Sequence, residues 1–288
     1  MAATRLRVVS WNIRAAIGTG PFPDRWWRRI DAGRLRAIGA FLAGLDADII
    51  ALQEVALLSR DGDLVDNAGD LGRQLGMEVR YGAVRSFEVR EDDDALLGAG
   101  CFGNAILSRA PIRASRVVAL PAAATDAYVE PPGADHPAAG VRYADAPPTI
   151  REPRCLLLAE VGGLAIGTGH FSHVGSGERL LQAEATLAAF GDASPAVLLG
   201  DLNAPIEAPE LAPLTKWTDG FAEPPGDAAR VSTDDGWRID HVLAHGASVY
   251  GCRVLRESAD LSDHYPVLAE VSVPGDLPPA QSPNVGPG

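Results

Sequence analysis

Short apolar runs recur along the chain and predict a protein built mainly of strands. The stretches RLRVVSWNI at 5–13 and DADIIALQEV at 46–55 each contain a run of β-branched and aliphatic residues, which is typical of buried strands. Between them, apolar residues recur every three or four positions over 34–45 and predict a helix. The chain is therefore expected to begin with a strand, a helix and a second strand.

The same pattern continues through the rest of the chain. Helices are predicted at 66–76 and, after an N-cap at Ser176, at 177–190. The residues of the second helix expected to face inward are Leu180, Leu181, Leu187 and Ala188. Further strands are predicted at 79–87, 101–108, 116–120, 155–161, 164–171, 197–203, 237–244, 248–255 and 266–273. Because several strands are apolar on both faces and few helices separate them, we expect two sheets packed on each other and covered by helices.

No linker divides the chain, so we expect a single domain over residues 1–274. The segment 121–153 is rich in Pro, Ala and Gly and predicts a long loop. Residues 275–288 are rich in Pro and Gly and cannot bury a core, so they are predicted to be a disordered tail.

The composition narrows the class of protein. The 288 residues are 47% hydrophobic with a mean hydropathy of +0.03, which is typical of soluble globular chains. We find no apolar stretch long enough to span a bilayer and no signal peptide, so we expect a cytoplasmic location. We also expect a monomer. Three cysteines, Cys101, Cys155 and Cys252, are expected to be free thiols. The net charge of −13 disfavours tight binding to nucleic acid.

Several apolar runs are bordered by short polar groups that contain amide, carboxylate or imidazole side chains. Each group alone is explained as readily by a turn or a strand end. Amide, carboxylate and imidazole side chains on a rigid scaffold are the usual material of a functional site, so together they predict one. The groups are Ser10-Trp11-Asn12, Gln53-Glu54, His170, Gly200-Asp201-Leu202-Asn203, Ile239-Asp240 and Ser262-Asp263-His264.

These side-chain types suit metal-assisted hydrolysis of phosphate esters. Oxygen donors such as Asn12, Glu54 and Asp263 fit Mg²⁺ or Mn²⁺ rather than zinc. Asp201 and Asn203 are two residues apart on a predicted strand, so both are expected to project on the same side. One of the pair would accept a proton from water, and the other would orient the water or the phosphate.

The histidines complete the expected chemistry. His170 and His264 are expected to donate hydrogen bonds to the phosphate oxygens. Asp240 is expected to hold His264 in one tautomer and to favour its cation.

The motifs as a set resemble the endonuclease/exonuclease/phosphatase superfamily, the DNase I-like hydrolases. They run from residue 10 to residue 267, in the order found in that superfamily. The resemblance implies an α/β (α+β) four-layer sandwich, in which two mostly antiparallel sheets pack face to face and are flanked by helices. It also implies divalent-metal-dependent cleavage of phosphoester bonds. The motifs are SWNIR, ALQEV, FGNAILS, GTGHF, LLGDLNAP, RIDHVL and SDHYPV.

The resemblance also implies residue roles by motif. Asn12 and Glu54 resemble the metal-site residues, and Asp263 a carboxylate on the metal side. Asp201 and Asn203 resemble the pair that activates water and orients phosphate. His264 resembles the phosphate-binding histidine, Asp240 the carboxylate that supports it, and His170 the second catalytic histidine. Arg154 of EPR resembles a phosphate-contacting arginine, by a looser match. The segment 1–274 is then a single catalytic domain of this type.

Alternative functions stay open at this point. A small-molecule or lipid-headgroup phosphoester is favoured as substrate over duplex DNA because of the acidic charge. A DNase I-like endonuclease or exonuclease is the runner-up, and inositol-phosphate and sphingomyelin substrates are further possibilities within the superfamily. From another class, the chain could be a catalytically inactive phosphate-binding module, although no motif residue has been lost.

The tryptophan pair and three polar residues outside the proposed site have their own interpretations. The Trp26-Trp27 pair is expected either to stack on a substrate or to pack against the following helix. His173 is expected at a loop rim rather than as a metal ligand, His241 in a structural position, and Asn104 as a residue that holds a loop.

Overall fold

The computed structural model describes residues 3–20, 25–60, 62–90, 95–122, 152–221 and 230–274. The predicted tail at 275–288 and almost all of the predicted loop at 121–153 lie outside the described residues.

Strands dominate the described part of the chain, as the apolar pattern predicts. Three α-helices accompany them: α1 (Ala32–Gly44), α2 (Asn67–Leu75) and α3 (Ser176–Phe190). The strands before the long gap are β1 (Ala3–Asn12), β2 (Ile49–Arg60), β3 (Asp63–Asp66), β4 (Glu78–Arg90), β5 (Leu96–Ser108) and β6 (Ile112–Leu120). Those after it are β7 (Arg154–Val161), β8 (Leu164–His170), β9 (Ala196–Asp201), β10 (Thr218–Asp219), β11 (Asp240–His245), β12 (Ser248–Val254) and β13 (Val267–Pro274).

The strands form two mixed sheets. The first sheet has the order β12-β13-β1-β2-β5-β4, with β3 added beside β2, and the second has the order β10-β11-β9-β8-β7-β6. Each sheet contains one parallel pair, β1 with β2 and β8 with β9, and its other described pairs are antiparallel. The expectation of two mostly antiparallel sheets is confirmed.

The two sheets pack face to face and the helices cover their outer faces. Apolar residues of both sheets share one buried cluster between them, for example Val8 and Ile49 of the first with Ile166 and Leu199 of the second. A second cluster holds α1 and α2 on the first sheet, and a third holds α3 and a 3₁₀ helix at Pro209–Lys216 on the second. The result is the expected four-layer sandwich.

The third helix begins one residue earlier than predicted, at Ser176, and its predicted buried face was wrong at Leu181 and Ala188, which are exposed, although Leu187 packs against the core. Leu181 is 39% exposed, whereas Arg179 and Gln182 are buried. Arg179 donates two hydrogen bonds to Glu210 of the neighbouring 3₁₀ helix, at 2.7 and 3.1 Å. A buried ion pair with satisfied hydrogen bonds thus occupies the face that an apolar pattern would assign to leucine. Gly175, rather than Ser176, is the N-cap residue.

No helix among the described residues is long and apolar enough to cross a membrane.

Candidate active site

The parallel strand pairs of the two sheets bring four predicted residues to one edge of the sandwich. Asn12 lies beside Gln53 where β1 meets β2, and His170 lies beside Asp201 where β8 and β9 end. Asn12 Nδ2 lies 3.2 Å from Asp201 Oδ2 and donates to it across the two sheets. Residues that are far apart in sequence therefore meet because strands that run in the same direction end at the same edge.

Glu54 reaches this edge through a β-bulge. The register between β2 and β5 shifts between Leu52 and Val55, and Glu54 has a φ of 53°. A bulge adds a residue to one strand and re-aims its side chain. As a result, Glu54 Oε1 accepts a hydrogen bond of 3.0 Å from Asn12 Nδ2.

Asp201 and Asn203 lie together, but not for the predicted reason. The strand β9 ends at Asp201, and Asn203 lies beyond it with a left-handed φ of 52°. The backbone N–H of Asn203 donates to Asp201 Oδ1 at 3.0 Å, and Asn203 Nδ2 donates to the carbonyl of Phe171 at 2.9 Å. The turn, rather than the period of a strand, brings the backbone N–H of Asn203 to the Asp201 carboxylate and the Asn203 carboxamide to the carbonyl of Phe171. Gly200 fits because a Cβ there would collide with the carbonyl of Gly169.

Two histidines flank the Asp201 carboxylate. His170 Nε2 lies 3.4 Å and His264 Nε2 lies 3.7 Å from Asp201 Oδ2. His264 Nδ1 lies 2.9 Å from Asp240 Oδ2, as the predicted supporting pair requires. The carbonyl of His264 also accepts a 2.9 Å bond from Trp11 Nε1, which ties its loop to β1.

Burial and neighbouring charges shift the pKa values of the two histidines in opposite directions. Burial alone would lower the pKa of His264, but the carboxylates of Asp240 and Asp201 outweigh it and raise that pKa well above its usual value. Burial, with Arg154 and His264 nearby, lowers the pKa of His170 well below its usual value. His264 is therefore the cationic member and His170 the neutral one. Burial raises the pKa of Asp201 to about 7, against the opposing effect of His264.

Asp263 lies at the same edge with a partner that the sequence analysis did not assign. Its Oδ2 atom lies 3.1 Å from Arg14 Nε. Ser262 Oγ donates to the carbonyl of Asn12 at 2.8 Å and holds this loop against β1. Arg14 belongs to the SWNIR motif and lies two residues after Asn12, and this position could have indicated that it belongs to the site.

Arg154 lies at the start of β7, with its side chain 6% exposed. Its Nη2 atom donates to His173 Nδ1 at 3.1 Å and lies 3.3 Å from Glu152 Oε2. Glu152 also pairs with Arg85 of β4. No role was predicted for either partner: Arg85 stands in no motif, and Glu152 is the first residue of EPR, of which only Arg154 was assigned.

Comparison with known proteins decides the family. A sequence model described as the Endonuclease/Exonuclease/phosphatase family matches residues 9–264. The chain belongs to the endonuclease/exonuclease/phosphatase family. This family hydrolyses phosphoester bonds, and the chain is accordingly a phosphoester hydrolase with a DNase I-like fold. No curated protein matches the chain in sequence.

Solved structures of the family share the fold. An endonuclease/exonuclease/phosphatase from Beutenbergia cavernae is 21% identical over 94% of this chain and 72% of its own, with a TM-score of 0.69. A family protein from Bacteroides thetaiotaomicron is 20% identical over 96% of this chain and 100% of its own, with a TM-score of 0.62. The human Nocturnin catalytic domain, solved with a bound sulfate anion, is 17% identical over 93% of each chain, with a TM-score of 0.59.

The donor chemistry fits the divalent cation on which the family depends. The side chain of Glu54 is 17% exposed, and its partial burial raises its pKa, with Asp263 adding to the rise and Asn12 opposing it. The imidazole of His170, 3.9 Å away, is kept neutral and supplies no positive charge. A cation beside Glu54 would offset the cost of burying this carboxylate, and oxygen donors suit Mg²⁺ or Mn²⁺.

A second group of possible metal ligands includes His264. Ligand atoms of Asp201, Asp240 and His264 lie within 4.8 Å of one another. His264 donates its Nδ1–H to Asp240. Its raised pKa keeps the other ring nitrogen protonated as well, and a protonated imidazole cannot bind a metal. The Glu54 side of the site therefore fits a cation better.

The remaining positions have structural partners. Trp26 is buried against Phe87 of β4 and Phe102 of β5, at ring-centroid distances of 5.0 and 5.1 Å, so it packs on strands of the first sheet rather than against the following helix. Asn104 Nδ2 donates to the carbonyl of Cys155 at 3.0 Å and joins the two sheets. His241 Nε2 is bonded to the carbonyl of Ala204 at 2.9 Å, in the predicted structural position.

Proposed function

We propose that the chain is a divalent-metal-dependent phosphoesterase in which Asp201 activates the attacking water. The observation that carries the proposal is the buried Asp201 carboxylate, surrounded by Asn12, His170 and His264 at 3.2–3.7 Å. A carboxylate with a pKa raised to about 7 is matched to accept a proton near neutral pH. Few purely structural roles require two histidines and an amide around one buried carboxylate.

The other residues have complementary roles. Asn203, fixed by its bond to Phe171, orients the water or the phosphate. The His264 cation, held by Asp240, donates to a non-bridging phosphate oxygen where negative charge develops. His170, with its low pKa, is a neutral donor on the other side of Asp201. Arg154 contributes positive charge beside His170 and contacts the phosphorylated substrate.

The proposed metal site consists of Asn12, Glu54 and Asp263. A bound Mg²⁺ or Mn²⁺ would neutralise phosphate charge and stabilise the leaving oxygen. Asn12 donates its amide N–H groups to Glu54 and Asp201 and so fixes the carboxylates relative to each other. Arg14 fixes the Asp263 carboxylate in the same way.

The proposed substrate is a small-molecule or lipid-headgroup phosphoester. The net charge of −13 opposes accumulation of a long polyanion on the surface. The human Nocturnin domain holds a sulfate, an anion of phosphate-like shape, which supports a tetrahedral anion as the ligand of this fold. A nuclease is the alternative within the family. The proposals of a monomer and of a cytoplasmic location can be checked by sedimentation and by cell fractionation.

A panel of phosphoesters tests the proposed function. Nucleic acids, nucleotides, sugar and inositol phosphates and phospholipid headgroups are assayed with Mg²⁺, Mn²⁺ or EDTA. On the best substrate, Asp201→Asn and His264→Gln are expected to lower kcat by about 10²- to 10⁴-fold, as loss of a general base or of a preorganised donor does.

Matched controls separate chemistry from folding. Asp46→Asn and His245→Gln make the same substitutions at exposed positions and are expected to retain activity. Thermal melts confirm that each variant is folded. Full metal-dependent activity in folded Asp201→Asn would remove this residue from the proposed role.

A further inference from the structure

Two arginines line a small pocket beside the candidate active site. Glu54 and His170 of the site line the same pocket as Arg85, Glu152 and Arg154. Its free volume of about 10 Å³ has room for about one water molecule. The pocket is therefore continuous with the site but filled by its own side chains.

A second β-bulge shapes the wall that carries Arg85. The register between β4 and β5 shifts between Ala83 and Arg85, opposite Phe102 and Gly103. Bulges next to active sites commonly re-aim a side chain, and here the shift leaves Arg85 among the pocket-lining residues. Gly103 allows this close packing, because a Cβ there would collide with the carbonyl of Gly82.

One carboxylate bridges the two guanidinium groups. Glu152 Oε1 lies 3.0 Å from Arg85 Nη1, and Glu152 Oε2 lies 3.3 Å from Arg154 Nη2. The single negative charge of Glu152 thus faces two positive charges. Its side chain is 29% exposed, so it has a route to solvent.

Arg154 has donor capacity that its neighbours do not use. Its side chain is 6% exposed, and its Nε atom is buried without a hydrogen-bond partner among the described residues. A guanidinium only donates, so His173 Nδ1 must accept the 3.1 Å bond from Arg154, and the His173 proton is on Nε2. A larger anion than a carboxylate would satisfy more of these donors, since phosphate offers three oxygens and up to two charges.

We propose that Arg85 and Arg154 form a subsite for a second phosphate group of the substrate, and that Glu152 occupies this subsite until the substrate displaces it. The inference rests on the proposed function, because it places the scissile phosphate at Asp201 and His170. The preferred substrates are then phosphoesters that carry a further phosphate within reach of the pocket. Two planar guanidinium groups are well suited to bind one phosphate through paired hydrogen bonds.

Binding of inorganic pyrophosphate tests the subsite without catalysis. Calorimetric titration in EDTA compares the native protein with Arg85→Gln and Glu152→Gln. Arg85→Gln is expected to weaken pyrophosphate binding about tenfold, and Glu152→Gln to strengthen it about tenfold, because one removes a charged donor and the other removes the competing carboxylate.

Two controls carry the same charge changes elsewhere. Arg73→Gln and Asp70→Asn alter an exposed ion pair on α2 and are expected to leave the affinity unchanged. Weaker binding by Glu152→Gln would overturn the proposal, since Glu152 would then position the arginines rather than compete with the ligand. Equal effects of Arg85→Gln and Arg73→Gln would also overturn it, since the effect would then be long-range charge alone.

Hydrolysis separates this inference from the proposed function. Thymidine 5′-(p-nitrophenyl phosphate) and the same ester with a 3′-phosphate are assayed with Mg²⁺ and Mn²⁺. The 3′-phosphate is expected to raise kcat/KM in the native protein, and Arg85→Gln to reduce that preference about tenfold. An unchanged preference would overturn the subsite.

Direct titration of a nucleoside 3′,5′-bisphosphate and of a sugar bisphosphate then shows which carrier of the second phosphate fits. If pyrophosphate binds as expected but neither these esters nor any other phosphoester is hydrolysed, the subsite stands and the proposed function fails.

Discussion

Glu54 lies at the bulge of β2 with a φ of 53° and only 17% of its side chain exposed. A left-handed backbone at a non-glycine residue costs of the order of 1–2 kcal/mol, and burial of the carboxylate adds a further cost. Burial raises the pKa of Glu54 for the same reason. The residue is therefore unfavourable for the metal-free fold, and the cation proposed above would offset this cost.

Glu54→Gln tests whether a bound cation offsets the cost of burying the Glu54 carboxylate. At pH 8 in EDTA, the variant is expected to melt at the same temperature as the native protein or higher, because the buried charge is gone. Saturating Mg²⁺ or Mn²⁺ is expected to raise the melting temperature of the native protein, by a stabilisation of about 2.7 kcal/mol at a hundred times the Kd. The variant is expected to lose this shift.

Glu78→Gln is the matched control, because its carboxylate is 38% exposed and pairs with Arg80 on the surface. It is expected to keep the full metal-induced shift in the same thermal melts. A normal metal shift in Glu54→Gln would show that the cation is held elsewhere, for example at Asp201.

His241 makes stability depend on pH. Its Nε2 atom donates to the carbonyl of Ala204, and its buried Nδ1 has no partner among the described residues. Burial, and then Arg238, lower the pKa of His241 below its usual 6.5. As the pH falls below 6.5, His241 therefore becomes protonated in the unfolded chain while it is still neutral in the folded chain. Stability is lost as the pH falls through this value, at up to about 1.4 kcal/mol per pH unit.

His241→Gln removes this titration while keeping an amide donor for Ala204. Urea unfolding of both proteins between pH 8 and pH 5 is expected to show a shallower loss of unfolding free energy in the variant. Parallel curves for the two proteins would contradict a neutral buried imidazole at this position.

The bulge of β2 depends on side chains from two other elements. Asn67, at the start of α2, accepts a 3.0 Å bond from the backbone N–H of Ala56, and Tyr81 of β4 donates to the carbonyl of Val55 at 3.2 Å. A bulge leaves backbone groups without ladder partners, and burial makes them costly unless they are bonded. These two bonds hold the segment that follows Glu54.

Tyr81→Phe is expected to lower the unfolding free energy by about 1 kcal/mol, through loss of one hydrogen bond. It is also expected to raise the Mg²⁺ concentration for half-maximal activity a few-fold, because Glu54 is less well placed. Tyr250→Phe is the matched control, since the Tyr250 hydroxyl is buried without a partner among the described residues. A metal requirement unchanged by Tyr81→Phe would mean that the bulge does not need this bond.

The sequence alone predicted the main helices and strands, but not all of their contacts. Apolar runs predicted every described strand except the short β3 and β10, and the helical spacing over 34–45 predicted α1, in which Leu35, Ile38 and Leu42 are buried. The buried face of α3 was wrong because Arg179 meets Glu210, a partner 31 residues away that no local pattern reveals. The pairing of Arg85 with Glu152 was out of reach for the same reason.

Among the site residues, the motifs identified the group that the structure brings together, but not the geometry that does so. Asn203 was expected on a strand and lies in a left-handed turn. Glu54 was expected at a strand end and lies in a bulge, with β2 continuing to Arg60. Backbone irregularities of this kind depend on the neighbouring strand and on side chains such as Asn67, so periodicity cannot predict them.

At the scale of the whole molecule, the site exists only where the two sheets meet. Asn12 and Glu54 come from the first sheet, and His170 and Asp201 from the second. Gln53 Nε2 donates to Thr168 Oγ1 at 2.9 Å in the buried interface and joins the sheets next to the site. The packing of the two sheets therefore fixes the relative positions of these side chains.

The net charge of −13 predicts weak binding to duplex DNA. Non-specific binding depends on cations that release counterions from DNA, and gives a Kd of about 10⁻⁴ to 10⁻⁶ M in proteins adapted to it. For this chain we expect a Kd weaker than about 10⁻⁴ M at physiological salt, measured by fluorescence anisotropy with a labelled 20-base-pair duplex in EDTA. Turnover of small phosphoesters with Mg²⁺ is expected to exceed turnover of the duplex.

Neutralising three exposed carboxylates outside the candidate active site tests whether the net charge causes the weak binding. The triple variant Asp46→Asn, Asp70→Asn, Glu88→Gln is expected to bind the duplex more tightly at 20 mM salt and no differently at 500 mM, because screening removes long-range repulsion. A Kd near 1 μM for the native protein at 150 mM salt, with a steep salt dependence, would instead require a basic path across this acidic surface. It would favour the nuclease alternative over a small phosphoester.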